Sequence, residues 1–208
     1  MTNDRKTELG NVRAEIAMAA ARLIAEEGAT YEMAKKKAAH QIFGNKRISS
    51  NLMPNNQEIE EEVRIYHDIF MADSQPARLL HLRKVALRMM NELAHFQPYI
   101  TGAILNGTAG EHSDIHLQLF PDNAKDVEMH LLNKNISISV TEAGNYRQKA
   151  PAVETIHFYH ENEIFHLTVY NPDDMRKMVR AANSPTERMD IVGLVQIIEQ
   201  QKKPLSED

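Results

Sequence analysis

The sequence predicts an α+β protein: a helical N-terminal region over residues 1–76, then a small mixed β-sheet core backed by helices over residues 77–208. Two observations predict it. Up to about residue 97, apolar side chains recur every three or four residues, the period of a helix with one buried face. From Pro98 onward the apolar runs shorten, alternate with polar residues and are bounded by turn formers, as strands are. With 208 residues, 42% hydrophobic and 25% charged, the chain has an ordinary globular composition and can bury a core without staples.

The elements follow in order. Residues 12–27 (VRAEIAMAAARLIAEE) are rich in helix formers, and Gly28 supplies a stop. Residues 30–43 start at a Thr30 cap and end at Gly44. A polar loop with Asn51, Pro54, Asn55 and Asn56 leads to a helix over 57–72, with Ile59, Val63, Tyr66, Ile69 and Phe70 as its apolar stripe. A longer helix follows Ser74, where Leu79, Leu80, Leu82, Val85, Leu87, Met89, Met90 and Leu93 give a broad apolar surface. Met71, Met89, Met90 and Met129 fall on predicted helices and read as core filler. Five strands are expected, over 98–107, 113–120, 135–142, 154–160 and 163–170. The last two form a hairpin about Glu161 and Asn162. A helix over 123–134 separates the second and third strands, and another, capped by Ser184, covers 185–201.

Composition excludes several function classes. The absence of cysteine excludes a disulfide framework, a thiol nucleophile and cysteine-ligated metal. No run of about 18 apolar residues occurs, so no membrane span is expected. The opening MTNDRKTELGNVR lacks the apolar stretch of a secretory signal, so the expected location is cytoplasmic. Charge is uneven: residues 1–100 carry 14 Lys and Arg against 13 Asp and Glu, whereas residues 101–208 carry 10 against 16. The local base at Lys35, Lys36, Lys37, Lys46 and Arg47, and then at Arg78, Arg83, Lys84 and Arg88, can attract polyanions but reads first as a solvated helix face. No aromatics interleave with base, as single-stranded nucleic-acid binding would require. No recognition helix follows the AARLIAEEG segment, so sequence-specific DNA is not an expected partner. There is no Gly-x₄-Gly-Lys-[Ser/Thr] phosphate loop.

One stretch carries chemistry: Ile104-Leu105-Asn106-Gly107-Thr108-Ala109-Gly110-Glu111-His112-Ser113-Asp114-Ile115-His116-Leu117-Gln118-Leu119. A glycine turn brings backbone N–H groups close to phosphate, and an adjacent hydroxyl adds a hydrogen bond. Side chains two apart on a strand project from one face. His112, Asp114 and His116 have that spacing. With His157 or His166 nearby, they would make a nitrogen and oxygen set suited to Zn²⁺, Mn²⁺ or Fe²⁺. Ser113 beside His112 is not framed by a nucleophile elbow, which argues against a hydrolase.

The stretch resembles the nucleotidyltransferase superfamily that includes DNA polymerase beta, the kanamycin-type nucleotidyltransferases and the minimal nucleotidyltransferases. These carry an apolar-Gly-Ser turn and, about ten residues on, Asp-apolar-Asp on the next strand. The resemblance covers roughly residues 78–170. The whole-chain layout is also similar to proteobacterial nucleotidyltransferase-like proteins that pair a helical N-terminal region with a Gly-Thr…Ser-Asp-Ile-His segment. It implies a nucleotidyltransferase-like fold and transfer of NMP from NTP, with a divalent metal (Mg²⁺ or Mn²⁺, or Zn²⁺ after a ligand swap), to an acceptor: a small molecule, a protein or an RNA end. Gly107, Thr108 and Ser113 would bind the nucleotide. Asp114 would hold metal, with His116, His112 and His166 as further ligands. Asp114 and His116 would be catalytic, His116 as second ligand or general base. The N-terminal helices would bind the acceptor.

The sequence departs from that pattern at His116, where the family has its second carboxylate, and hard Mg²⁺ prefers oxygen to imidazole. The third carboxylate has no evident counterpart: the fifth strand offers Glu163 at its edge and His166 in its interior, and Glu142 and Glu154 are other candidates. The alternative expectation is therefore a catalytically degenerate module that binds nucleotide or a protein partner.

Overall fold

The computed structural model describes residues 2–45, 49–144, 152–175 and 188–202. It is α+β, with N-terminal helices followed by a six-stranded mixed sheet. The chain divides into two compact units, Met1–Arg78 with Gly107–Ser113, and Leu79–Asn106 with Asp114–Asp208. No helix among the described residues is long and apolar enough to cross a membrane.

In the first unit, α1 (Thr2–Glu27) packs against α2 (Tyr31–Phe43) and α3 (Asn56–Phe70). Small residues make close approach possible: Ala17, Ala20, Ala34 and Ala38 are buried around Ile16, Leu23, Ile59 and Val63. Thr30 caps α2 by accepting from the Met33 amide. Asn55 and Glu58 close a capping box on α3. The Glu58 carboxylate also accepts two hydrogen bonds from Arg13, which ties α3 to α1. The α3 stripe divides in two. Ile59 and Val63 are fully buried, whereas Ile69 and Phe70 are 65% and 67% exposed and line an open apolar groove with Met18 and Ile65. In the basic run, Lys35 donates to Asn56, Lys36 pairs with Glu32 and Lys37 with Glu27, all at the surface, and Lys46 and Arg47 lie outside the described residues.

The second unit is built on a sheet whose order is β3-β4-β5-β2-β1-β6. The strands are β1 (Tyr99–Thr101), β2 (Ile115–Leu119), β3 (Ile138–Ala143), β4 (Val153–His160), β5 (Glu163–Val169) and β6 (Arg188–Met189). The pairing of β2 with β5 is parallel, and every other pairing is antiparallel. Register sorts the side chains. Ile115, Leu117, Leu119, Phe165, Leu167, Ile156 and Phe158 share one buried face, where Phe158 stacks on Phe165 at 5.0 Å. Around the sheet, α4 (Gln75–Glu92) buries Leu82, Val85, Met89 and Met90, α6 (Ala124–Asn133) buries Val127 and Leu131, and α7 (Ile191–Lys202) buries Leu194 and Ile198. Arg83 on α4, expected on a solvated basic face, is instead buried, because its guanidinium donates inward to the Ile104 carbonyl at 3.2 Å and to Gln201 at 2.8 Å. Its burial lowers its pKa from the usual value.

Three expectations are corrected. The strand expected over 98–107 stops at Thr101, because Gly102 takes a φ of +71° and Ala103–Asn106 then coils into a short helix, α5. The last helix begins at Ile191, capped by Asp190, which accepts from the Gly193 amide, and Arg188–Met189 pairs with β1 as a strand. Ser184 lies outside the described residues. Met129 is 60% exposed, so of the four methionines only Met89 and Met90 fill the core.

Gly28 is the tightest point of the first unit. Its φ is +65°, and a Cβ there would lie 2.6 Å from the His112 Cβ. A left-handed backbone alone costs a non-glycine residue about 1–2 kcal/mol, and here a clash is added. Gly28→Ala should therefore lose more than about 2 kcal/mol in urea unfolding, whereas Gly44→Ala, with open space at its Cβ position, should lose about 1–2 kcal/mol. Equal losses would contradict the close-approach argument.

Candidate acid–base site

Opposite the apolar face, the second unit carries polar side chains in two rows. Backbone register aligns Thr101, His116, His166, His157 and Ser139 across five strands. One step along, it aligns Tyr99, Gln118, Thr168, Thr155 and Thr141. Asp114 immediately precedes β2, two residues before His116, and so adjoins the histidine row.

Side chains of these rows bond into a chain. His166 Nε2 lies 2.8 Å from Asp114 Oδ2. His166 Nδ1 lies 2.6 Å from His157 Nδ1, and His157 Nε2 lies 2.6 Å from Thr141 Oγ1. With Asp114 ionised and both imidazoles neutral, the chain has one consistent proton arrangement. A carboxylate only accepts, so His166 Nε2–H donates to Asp114. The bare Nδ1 of His166 then accepts from His157 Nδ1–H, and the bare Nε2 of His157 accepts from the Thr141 hydroxyl. All four groups are satisfied in one direction, from hydroxyl to carboxylate. This is the layout of a nucleophile, a base and an orienting carboxylate, with a second imidazole inserted.

His116 stands beside the chain. Its ring stacks on that of His166 at 4.6 Å between centroids. Surrounding protein atoms and then the neighbouring His166 disfavour its charged form, and Asp114 only partly offsets them, so its pKa is pushed down to about 4. The residue as a whole keeps contact with solvent, which screens part of that effect. His157 is lowered too, by burial and by His166. The adjoining row holds unmet polar atoms. Gln118 and Thr155 are buried, and Gln118 Oε1 and Thr155 Oγ1 find no hydrogen-bond partner among the described residues.

The remaining expected residues lie in the first unit. Gly107 has a φ of +87° with open space at its Cβ position, so the glycine is required by the turn itself. Gln75 Nε2 donates to the Gly107 and Ala109 carbonyls at 3.1 and 2.8 Å, and Arg78 donates to the Glu111 carbonyl at 3.1 Å. Thr108 is buried. Ser113 Oγ accepts from the Gly110 amide at 2.9 Å, a local turn bond. His112 is in a turn before β2, with its Cβ packed over Gly28, and so is not on the strand. Beside Gly110, His67 of α3 is 4% exposed, with neither ring nitrogen bonded among the described residues. Burial lowers its pKa as well. Sequence reading did not single out His67 or Thr141; a histidine on an apolar helix face and a threonine in an edge strand give no distinctive pattern.

Among the described residues, no group of three or more His, Asp or Glu side chains is arranged to hold a metal ion. Asp114 and His166 are engaged with each other, and both nitrogens of His166 are committed. This donor set is a poor fit to a resident Mg²⁺. No protein-family model matches the chain, and no curated protein matches it significantly.

The depressed histidines set a pH dependence. Between about 6.5 and about 4 an unfolded His116 binds a proton that the folded residue refuses. Stability is therefore expected to fall as pH drops through that window, with His67 and His157 adding in the same direction. His116→Gln should show a shallower slope in urea midpoints across the window. An unchanged slope would contradict the assignment.

Proposed function

We propose that this chain transfers a nucleoside monophosphate from an NTP to an acceptor hydroxyl, with histidines doing acid–base work where related enzymes use carboxylates. The supporting observation is the pairing of His116 with His166 across adjacent parallel strands, with Asp114 hydrogen-bonded to His166. In the superfamily that the motif resembles, carboxylates occupy the second position of the pair and a later strand. Here those places hold His116 and His166. On this reading Gly107 and Thr108 keep the triphosphate role that the motif implies, and Ser113 belongs to the same nucleotide-binding turn. The divalent cation enters with the triphosphate as part of the substrate. Asp114 orients the His166–His157 pair, which takes the proton of the attacking hydroxyl. The reading places the protein in the cytoplasm, where NTPs are abundant.

A second reading has its own support. The nitrogens of His166 are engaged within the protein and His116 is held neutral, as suits a module that binds nucleotide or a protein partner without chemistry.

Thermal unfolding with each NTP and Mg²⁺, Mn²⁺ or Zn²⁺ tests nucleotide binding, because a ligand of the folded state adds stability, about 2.7 kcal/mol at 100 times Kd, and so must raise the midpoint. The shift should be metal-dependent and reduced in Gly107→Ala. No shift under any pairing would overturn the nucleotide reading. A shift without pyrophosphate release in the presence of acceptor hydroxyls would favour the binding module.

A further inference from the structure

We propose that Thr141 is the nucleophile of this site: its hydroxyl, 2.6 Å from His157 Nε2, attacks phosphorus and carries the transferred group covalently. The electrophile is assigned on the nucleotide reading above; the nucleophile is assigned on geometry alone. Thr141 is the hydroxyl that closes the bonded chain from Asp114 through His166 and His157. It is exposed on β3, the edge strand of the sheet, so a substrate can reach it. A hydroxyl is a weak nucleophile until a base removes its proton, and the base works best when a third group holds its tautomer. Asp114 and His166 hold His157 with Nε2 bare and facing the hydroxyl.

The step balances. The Thr141 oxygen forms a bond to the α-phosphorus of an NTP. The bond from that phosphorus to the oxygen bridging to the β-phosphate breaks, and its electron pair leaves with pyrophosphate. The hydroxyl proton passes to His157 Nε2, and the Nδ1 proton of His157 passes to His166 Nδ1. Positive charge thus comes to rest on His166, against the Asp114 carboxylate, where it is most favourable. The product is a phosphodiester between Thr141 and NMP, either a self-modification or an intermediate passed on to a second hydroxyl.

Two measurements on the full chain separate the nucleophile from the nucleotide. A fluorophosphonate probe, which needs no nucleotide site, should label Thr141 as located by peptide mass spectrometry. Labelling should be lost in the near-isosteric Thr141→Val, retained in Thr141→Ser, and slowed about 100-fold in His157→Gln. No label on Thr141, or a label indifferent to His157→Gln, overturns the proposal whatever nucleotides do. Intact-mass measurement after incubation with NTP and Mg²⁺ should then show one NMP on wild type and none on Thr141→Val. If NTP raises the thermal midpoint but no NMP appears on Thr141, the covalent-carrier proposal is overturned while nucleotide binding stands. If the fluorophosphonate labels Thr141 and NTP gives no thermal shift, the nucleophile is supported and the nucleotidyl reading fails.

Discussion

The parallel pairing of β2 with β5 is the constraint on which the site depends. It sets His116 beside His166 and Leu117 beside Leu167. The antiparallel pairing of β4 with β5 then sets His157 beside His166 on the other side. Side chains alternate with a period of two, so a slip of one residue would turn the imidazoles into the apolar face and Leu117 and Leu167 out of it. The same hydrophobic burial that fixes the register therefore also fixes the geometry of the histidine row. Phe158 stacked on Phe165, and the buried Ile115, Leu117, Leu119 and Ile156, are what hold three histidines in one row.

That placement has an energetic cost that the bonding pattern offsets. Clustered imidazoles disfavour each other's charge, and protein atoms around them disfavour it further. His116 responds by remaining neutral over most of the pH range, with its pKa near 4. The pair His166 and His157 is instead bonded between a carboxylate at one end and a hydroxyl at the other. A proton entering at the hydroxyl end places its charge next to Asp114, so the net displacement of charge is toward the group that stabilises it. In the other unit, the turn that carries Gly107 is held by Gln75 and Arg78 and by the close packing of Gly28 on His112. Gln75 and Arg78 act on backbone carbonyls, whereas glycine is required at 28 by the His112 side chain and at 107 by a φ of +87°.

Much of this was legible in the chain. Periodicity and capping residues marked the first helices, and the period-two pattern marked β2 to β5. The period-two spacing of Asp114 and His116 points to one face of a strand, where both adjoin His166, but His157 and His166 read from sequence as metal ligands and are bonded to each other instead. Other features were not legible, for physical reasons. Gly102 takes a left-handed conformation that ends β1 early, and the apolar run beyond it, Ile104 and Leu105, suits a helix as well as a strand. His112 shares the alternation of Asp114 and His116 in sequence, but the strand starts only at Ile115, so its alternation has no sheet to act on. Thr141 depends on the pairing of β3 with β4, a tertiary fact, and an edge-strand threonine has no local mark. The α3 stripe predicted burial for Ile69 and Phe70, because periodicity reports amphipathicity without reporting what covers the apolar side.

The central claim is a directional hydrogen-bond chain, and imidazole ¹⁵N NMR reads it most directly. With histidines ¹⁵N-labelled at neutral pH, the account expects His166 protonated at Nε2 with bare Nδ1, and His157 protonated at Nδ1 with bare Nε2. Asp114→Asn should shift the proton positions on both rings, although it touches only one. Two rings that each show the tautomer mixture of free histidine, or a His157 that does not respond to Asp114→Asn, would contradict it.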